Sequence, residues 1–176
     1  MIKPILDLIV IDDEMEALAV RACLERWGVR VNLHLIGKGS DLAQLFREPE
    51  CLSSQILITC HGTSKGIVLP ELAPQIAKNE PFSSFLSPSD VKGLVRLKGQ
   101  TVLSTGCVTG KQIFAKAFLN GGAKAYIAPK GYPEGDIALL FVVNFYYFLL
   151  VKKLTARQAY QKAVKIETGG GFQIFN

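Results

Sequence analysis

Short apolar-rich runs alternate along this chain with segments whose apolar residues recur every three to four positions. Leu6 to Ile11 is the first run, broken only by Asp7. An apolar-rich stretch of this length predicts a strand buried on both faces. Asp12 or Asp13 then caps a predicted helix to about Trp27, with Ala17, Val20, Leu24 and Trp27 as its stripe and Gly28 as its stop. Val29 to Ile36 reads as the second strand, and Gly37 to Ser40 as a turn. Ser40 or Asp41 caps a short helix to about Arg47, and Ile56 to Cys60 is the third strand.

From Thr63 to Pro88 the pattern lapses. Four prolines fall here, and only Gly66 to Leu69 looks extended. A long irregular insert in a compact domain is often functional. Beyond it, Ser89 or Asp90 caps a short helix to about Leu97, and Thr101 to Ser104 is the fourth strand. Gly110 to Leu119 is a helix stopped by Asn120-Gly121-Gly122, and Ala123 to Ala128 is the fifth strand. After a loop, Lys130 to Gly135, come helices at Asp136 to Val151 and Thr155 to Glu167. Strands alternating with helices predict a three-layer α/β/α fold with a mostly parallel sheet of about five to six strands. Residues 1–168 read as one domain. Residues 169–176 read as a glycine hinge followed by a tail or last strand at Phe172 to Phe175.

Composition narrows the class. A length of 176 residues suits one domain. The formal charge of +5 leaves acidic partners open, but the 20 Lys and Arg are scattered. The densest group, Lys152, Lys153, Arg157, Lys162 and Lys165, reads as a solvated helix face, so no nucleic-acid partner is expected. The longest apolar stretch, Ile137 to Val151, holds Asn144 and is short for a bilayer span, so no membrane partner is expected. No secretion signal is visible, and the four cysteines have no C-x-x-C spacing. Reduced thiols and a cytoplasmic location are the expectation. No cofactor is expected.

The chemistry concentrates at two strand ends. Ile56 to Cys60 runs into His61-Gly62, and forty-six positions later Thr101 to Ser104 runs into Gly106-Cys107. Parallel strands would deliver both side chains to the carboxyl edge, where open α/β sheets hold their ligands. An imidazole beside a thiol equips a site for nucleophilic catalysis. The helix predicted from Gly110, following Cys107, would aim free N–H groups at the sulfur and favour thiolate. The Gly62 and Cys107 N–H groups would hold an oxyanion.

Three other motifs carry weaker chemistry. Asp12, Asp13 and Glu14 resemble the acidic pocket of a receiver domain, but the third strand ends in Cys60-His61 and not in a phospho-accepting aspartate. Gly106 to Gln112 lacks the first glycine and the Ser/Thr of a phosphate loop. Cys60, His61 and Cys107 make a poor metal set, because neighbours on a strand point to opposite faces.

The two strand ends resemble the caspase-like cysteine peptidases, and within them the CHAT family. Six pieces stand in order between Ser54 and Val164. They are Ile56 to Gly62, then Leu86 to Val91, then Leu103 to Gly110 around the cysteine. Phe118 to Ala128 matches the F-L-x-x-G-A-x-x-V-I-A pattern. Asp136 with Phe145-Tyr146, and Ala159 to Ala163, complete the set. Val108 stands where the family carries glutamate. The resemblance implies a caspase-like fold and a cysteine endopeptidase with Cys107 as nucleophile and His61 as general acid and base. It also implies an oxyanion hole at Gly62 and Cys107, and a protein or peptide substrate. Asp136, with Glu134 behind it, would select a basic residue before the cut, against the plainer reading of Asp136 as a helix cap. A regulatory protein partner is a further expectation. The alternatives are a catalytically silent caspase-like binding module and, more remotely, a receiver-like signalling domain.

Overall fold

A computed structural model describes residues 3–82, 84–166 and 171–176. The order begins β1 (Ile5–Ile11), α1 (Glu14–Arg26), β2 (Arg30–Leu35), α2 (Gly39–Arg47), a 3-10 turn (Pro49–Cys51) and β3 (Gln55–Cys60). The insert comes next, with β4 (Ile67–Val68), α3 (Pro74–Ala77) and β5 (Phe85–Leu86). Then come α4 (Pro88–Leu94), β6 (Thr101–Ser104), α5 (Gln112–Asn120) and β7 (Ala125–Pro129). The chain closes with α6 (Gly135–Tyr146), a π turn (Tyr147–Val151), α7 (Ala156–Ile166) and β8 (Phe172–Phe175).

The main sheet has six strands in the order β2-β1-β3-β6-β7-β8. The first five run parallel, and β8 pairs antiparallel with β7. The expected three-layer α/β/α fold is present. On one face α1, α6 and α7 cover Leu8, Val10, Leu57 and Leu103. On the other, α2, α4 and α5 cover Ile9, Ile11, Ile58 and Val102. Burial on both sides is why these strands carry no polar alternation.

Strand order reverses between β1 and β3. The chain moves outward from β1 to β2 and then returns to the other side of β1 for β3. The crevice at the carboxyl ends of β1 and β3 is therefore the topological switch point of this sheet.

The structure decides or corrects several local expectations. Residues 172–175, expected as a tail or a last strand, are the strand. They form the sixth sheet strand, because Phe172 and Ile174 bury against the core beside β7. The predicted glycine hinge falls largely outside the described residues. Ser87, not Ser89 or Asp90, caps α4. Its hydroxyl accepts the Asp90 N–H at 3.3 Å while the Asp90 carboxylate accepts the Ser87 N–H at 2.8 Å. Pro88 then sits where its missing N–H costs nothing.

Lys38 holds the cap position of α2. Ser40 instead gives its N–H and hydroxyl to Glu80, at 2.8 and 3.0 Å. That carboxylate reaches across from the insert and is also paired with Lys38 at 3.4 Å. The insert is thus packed down. Ile67, Leu69 and Leu86 lie in the core, and β4 pairs with β5. A Cβ on Gly39 would come within 2.9 Å of Phe82 Cβ, so α2 and the insert meet at a glycine.

Candidate active site

The ladder between β3 and β6 holds to its last residues. Ile58 pairs with Ser104, and the Thr105 N–H reaches the Ile58 carbonyl at 3.0 Å. The Thr105 hydroxyl then accepts the Cys60 N–H at 3.1 Å. The next residues of the two segments, His61-Gly62 and Gly106-Cys107, are brought into backbone contact. A Cβ on Gly62 would overlap the Cys107 carbonyl oxygen and lie 2.8 Å from the Cys107 nitrogen. Only glycine permits this approach.

The β4 strand completes the frame. Gly62 and Ile67 form an isolated antiparallel bridge. Its hydrogen bonds run from Val68 N–H to the His61 carbonyl, at 3.0 Å, and from Thr63 N–H to the Gly66 carbonyl, at 2.9 Å. In such a pair the bridging residue turns its own N–H away from the partner strand. The Gly62 N–H is therefore not consumed by β4. His61 is exposed and Cys107 is half-buried.

The helix predicted from Gly110 starts two residues later, and the cysteine loop before it is irregular. The Val108 N–H goes to the Gly131 carbonyl and the Gly110 N–H to the Pro129 carbonyl, both at 2.8 Å. The Thr109 N–H and hydroxyl both return to the Gly106 carbonyl, at 3.2 and 2.6 Å. Helix α5 begins only at Gln112. The three N–H groups after Cys107 are spent, and a helix dipole fades within its first turn. The expected helix-activated thiolate is not found. Burial pushes the Cys107 thiol above its ordinary range. Its own backbone N–H pulls the other way, and the charge of Glu16 adds to the upward shift.

This loop stores strain. Val108, a β-branched residue, has φ of 55°. Such a conformation persists only where surroundings over-determine it. Here they are the buried Val108 side chain, the bond to Gly131, and a polar knot below. In that knot Ser104 accepts the Gly106 N–H and the Tyr126 hydroxyl donates to the Thr109 carbonyl at 3.2 Å. Buried Cys60, its thiol pushed up to about 12 by loss of solvent, sits beside the same Ser104.

Two carboxylates at the start of α1 complete the surroundings, and neither is among the residues predicted for the site. Asp13 holds the cap position but makes no side-chain cap bond. Burial raises its carboxyl, and the field of His61 is the largest effect opposing that rise. Burial, with Asp13 adding, lifts Glu16 to about 7, while the Thr105 hydroxyl pulls it back. Glu16 Oε1 is buried without a hydrogen-bond partner. The signal is visible in the chain as the Asp12-Asp13-Glu14 run. That run cannot show that β1 and β3 end side by side. Those acids also oppose any phosphate at the N-terminus of α1, a position that otherwise favours anions.

The proposed selectivity acids lie apart from this frame. Asp136 is exposed in the first turn of α6, and it is not the helix cap. Its Oδ1 accepts the Ile137 N–H at 2.8 Å. Glu134 holds the cap position without a side-chain bond. The described contacts tie neither carboxylate to Cys107. The preceding loop is joined to the cysteine segment through Gly131. The other histidine, His34, is committed to buried Asp7 at 2.6 Å. Two surface cavities, of about 490 and 400 Å³, are lined by Arg47, Glu50 and Arg96 and by Gln55, Lys124 and Arg157. Neither touches His61 or Cys107.

The chain is thus a three-layer α/β/α protein with a thiol, an imidazole and two carboxylates gathered at the carboxyl edge of its sheet. No protein-family model and no curated protein sequence matches it. Among solved structures it is similar to a short-chain flavodoxin associated with a bacterial microcompartment. The identity is 17%, the TM-score 0.44, and the match covers 87% of this chain and 99% of that one. It is also similar to a D-lactate dehydrogenase from Sporolactobacillus, at 14% identity and a TM-score of 0.37, over 88% of this chain and 40% of that one.

Proposed function

We propose that this protein is a cysteine hydrolase acting on peptide bonds, with Cys107 as nucleophile and His61 as general base and acid. The observation that carries this is the backbone packing of Gly62 on Cys107, which brings the two strand ends together. The raised thiol sets the form of the chemistry. Cys107 rests protonated, and His61 takes its proton as the sulfur attacks the substrate carbonyl carbon. The oxyanion would lie against the N–H groups of Gly62 and Cys107. On collapse the C–N bond breaks, His61 returns the proton to the leaving amine, and a thioester remains. Water, losing a proton to His61, then releases the acid and restores the thiol. The substrate class is a protein or peptide, and no cofactor enters these steps.

The second reading is a catalytically silent module that binds a protein partner. The same raised thiol and its acidic neighbour favour it. Labelling with a peptide electrophile separates the two, with exposed Cys51 as internal reference. A hydrolase labels Cys107 faster than Cys51, and His61→Ala abolishes the advantage. Equal rates that ignore His61→Ala leave the binding module.

A further inference from the structure

We propose that Asp13 is the positioning residue for His61, holding the imidazole at the switch point and stabilising the imidazolium formed when Cys107 gives up its proton. This role rests on the reading of His61 as base for Cys107.

Three observations place Asp13 there. The first is register. Ile11 pairs with Cys60 as the last residues of β1 and β3, so Asp12 and His61 leave the sheet side by side. This is also where strand order reverses. The second is the backbone. Asp12 takes φ of 54°, a left-handed conformation that turns the chain out of β1 and sets Asp13 at the head of α1. Short polar side chains tolerate that conformation better than others. The third is the unused cap. An aspartate at this position ordinarily bonds an N–H of the first turn. Asp13 makes no cap bond of full geometry, although the Glu16 N–H lies near enough to favour its charge. Its half-buried carboxylate lies close enough to His61 for the two charges to interact.

The charged groups around Asp13 are Asp12, Glu14 and Glu16 on its own segment and His61 from β3. His61 is the one group among them that can carry a positive charge. An exposed ring at a strand end samples several rotamers, and one fixed carboxylate narrows that choice. A carboxylate that stays ionised beside the ring also favours the protonated imidazole as the sulfur loses its proton. The proton passes from Cys107 to His61 and does not move on to Asp13.

A double-mutant cycle on the full chain tests this, reading iodoacetamide alkylation of Cys107 at pH 7 in wild type, Asp13→Asn, His61→Gln and the double variant. Asp13→Asn is expected to slow alkylation by about three- to fivefold, the range of one partly exposed charge pair. In the His61→Gln background the same substitution is expected to change nothing, because Asp13 acts only through His61. Equal slowing in both backgrounds, or none in wild type, overturns the role of Asp13 and leaves the nucleophile–base reading standing. No slowing by His61→Gln overturns that reading and this role together. Should Asp13→Asn fail to fold, carboxyl-carbon NMR of Asp13 in wild type and His61→Gln decides. Loss of His61 is expected to move the Asp13 titration to higher pH, and an unmoved titration overturns the proposal.

Discussion

The Cα of Gly62 rests against the backbone of Cys107, with no space for a methyl group between them. This contact joins the ends of β3 and β6. Replacing Gly62 with alanine is expected to destabilise the fold by about 1–3 kcal/mol, the usual cost of an added methyl in a filled site. It should also reduce Cys107 labelling. Gly93, in α4, offers the control, since a Cβ there meets nothing within 4 Å. Gly93→Ala should leave labelling unchanged and raise the melting temperature, because alanine favours helix by up to about 1 kcal/mol. Thermal melts and labelling rates of the two variants check this.

Glu16 should show its burial in two ways. Its folded-state value of about 7 lies above the ordinary carboxyl range. A raised carboxyl stabilises the fold most at low pH, and that contribution is lost as pH rises from about 4.5 to about 7. Glu16→Gln is therefore expected to stabilise the protein at pH 8, by roughly 1–3 kcal/mol, and to add little at pH 4. Removing the negative charge also relieves one cause of the raised Cys107 thiol, so the alkylation profile should move to lower pH. Urea melts at the two pH values and a rate–pH profile test both. A variant no more stable at pH 8 than at pH 4 would contradict the burial of this carboxyl.

Asp7 predicts the opposite pH dependence. It is wholly buried. Burial works against its charge, but bonds from His34, Ser53 and Asn32 outweigh this and hold the carboxyl below its ordinary range. The Ser53 N–H lies 2.6 Å from one oxygen and the Asn32 amide 3.2 Å from the other. A lowered carboxyl contributes stability above its unfolded value, near 4, and loses it as pH falls through the lower folded value. Asp7→Asn should cost about 2–4 kcal/mol at neutral pH, because charge-assisted bonds are lost and Oδ is replaced by a second donor. The deficit should shrink in acid, and urea melts across that range check it.

Glu80 ties the insert to α2, so its loss should be felt locally. The Ser40 bonds and Lys38 overcome the cost of burial and keep the carboxyl below its ordinary range. Glu80→Gln is expected to speed hydrogen exchange in residues 70–82 while leaving β1 and β3 protected. Uniform acceleration across the chain would show a global effect instead.

Much of the fold was readable along the chain. Leu6 to Ile11 and Ile56 to Cys60 are apolar runs broken only by Asp7 and Thr59, and such runs need cover on both faces. That requirement alone leads to helices on both sides of a parallel sheet. The chemistry-bearing positions, His61 and Cys107, stand out because their strands end in glycine-flanked polar residues. Caps were less legible, because Ser87, Ser89 and Asp90 compete locally and Pro88 decides between them by occupying the first helical position.

Tertiary structure decided what surrounds the sulfur. Nothing in residues 107–112 states that the Val108 and Gly110 N–H groups will find carbonyls at Gly131 and Pro129, and those bonds delay α5 and remove its dipole from the thiol. Nor does the run Asp12-Asp13-Glu14 reveal its partner, since β1 lies beside β3 only through the reversal of strand order. The sequence by itself determined which residues reach the sheet edge, because hydrophobic periodicity is local. Which of them meet there, and whether the thiol rests protonated, depended on register, crossover and burial, which arise only when distant segments pack.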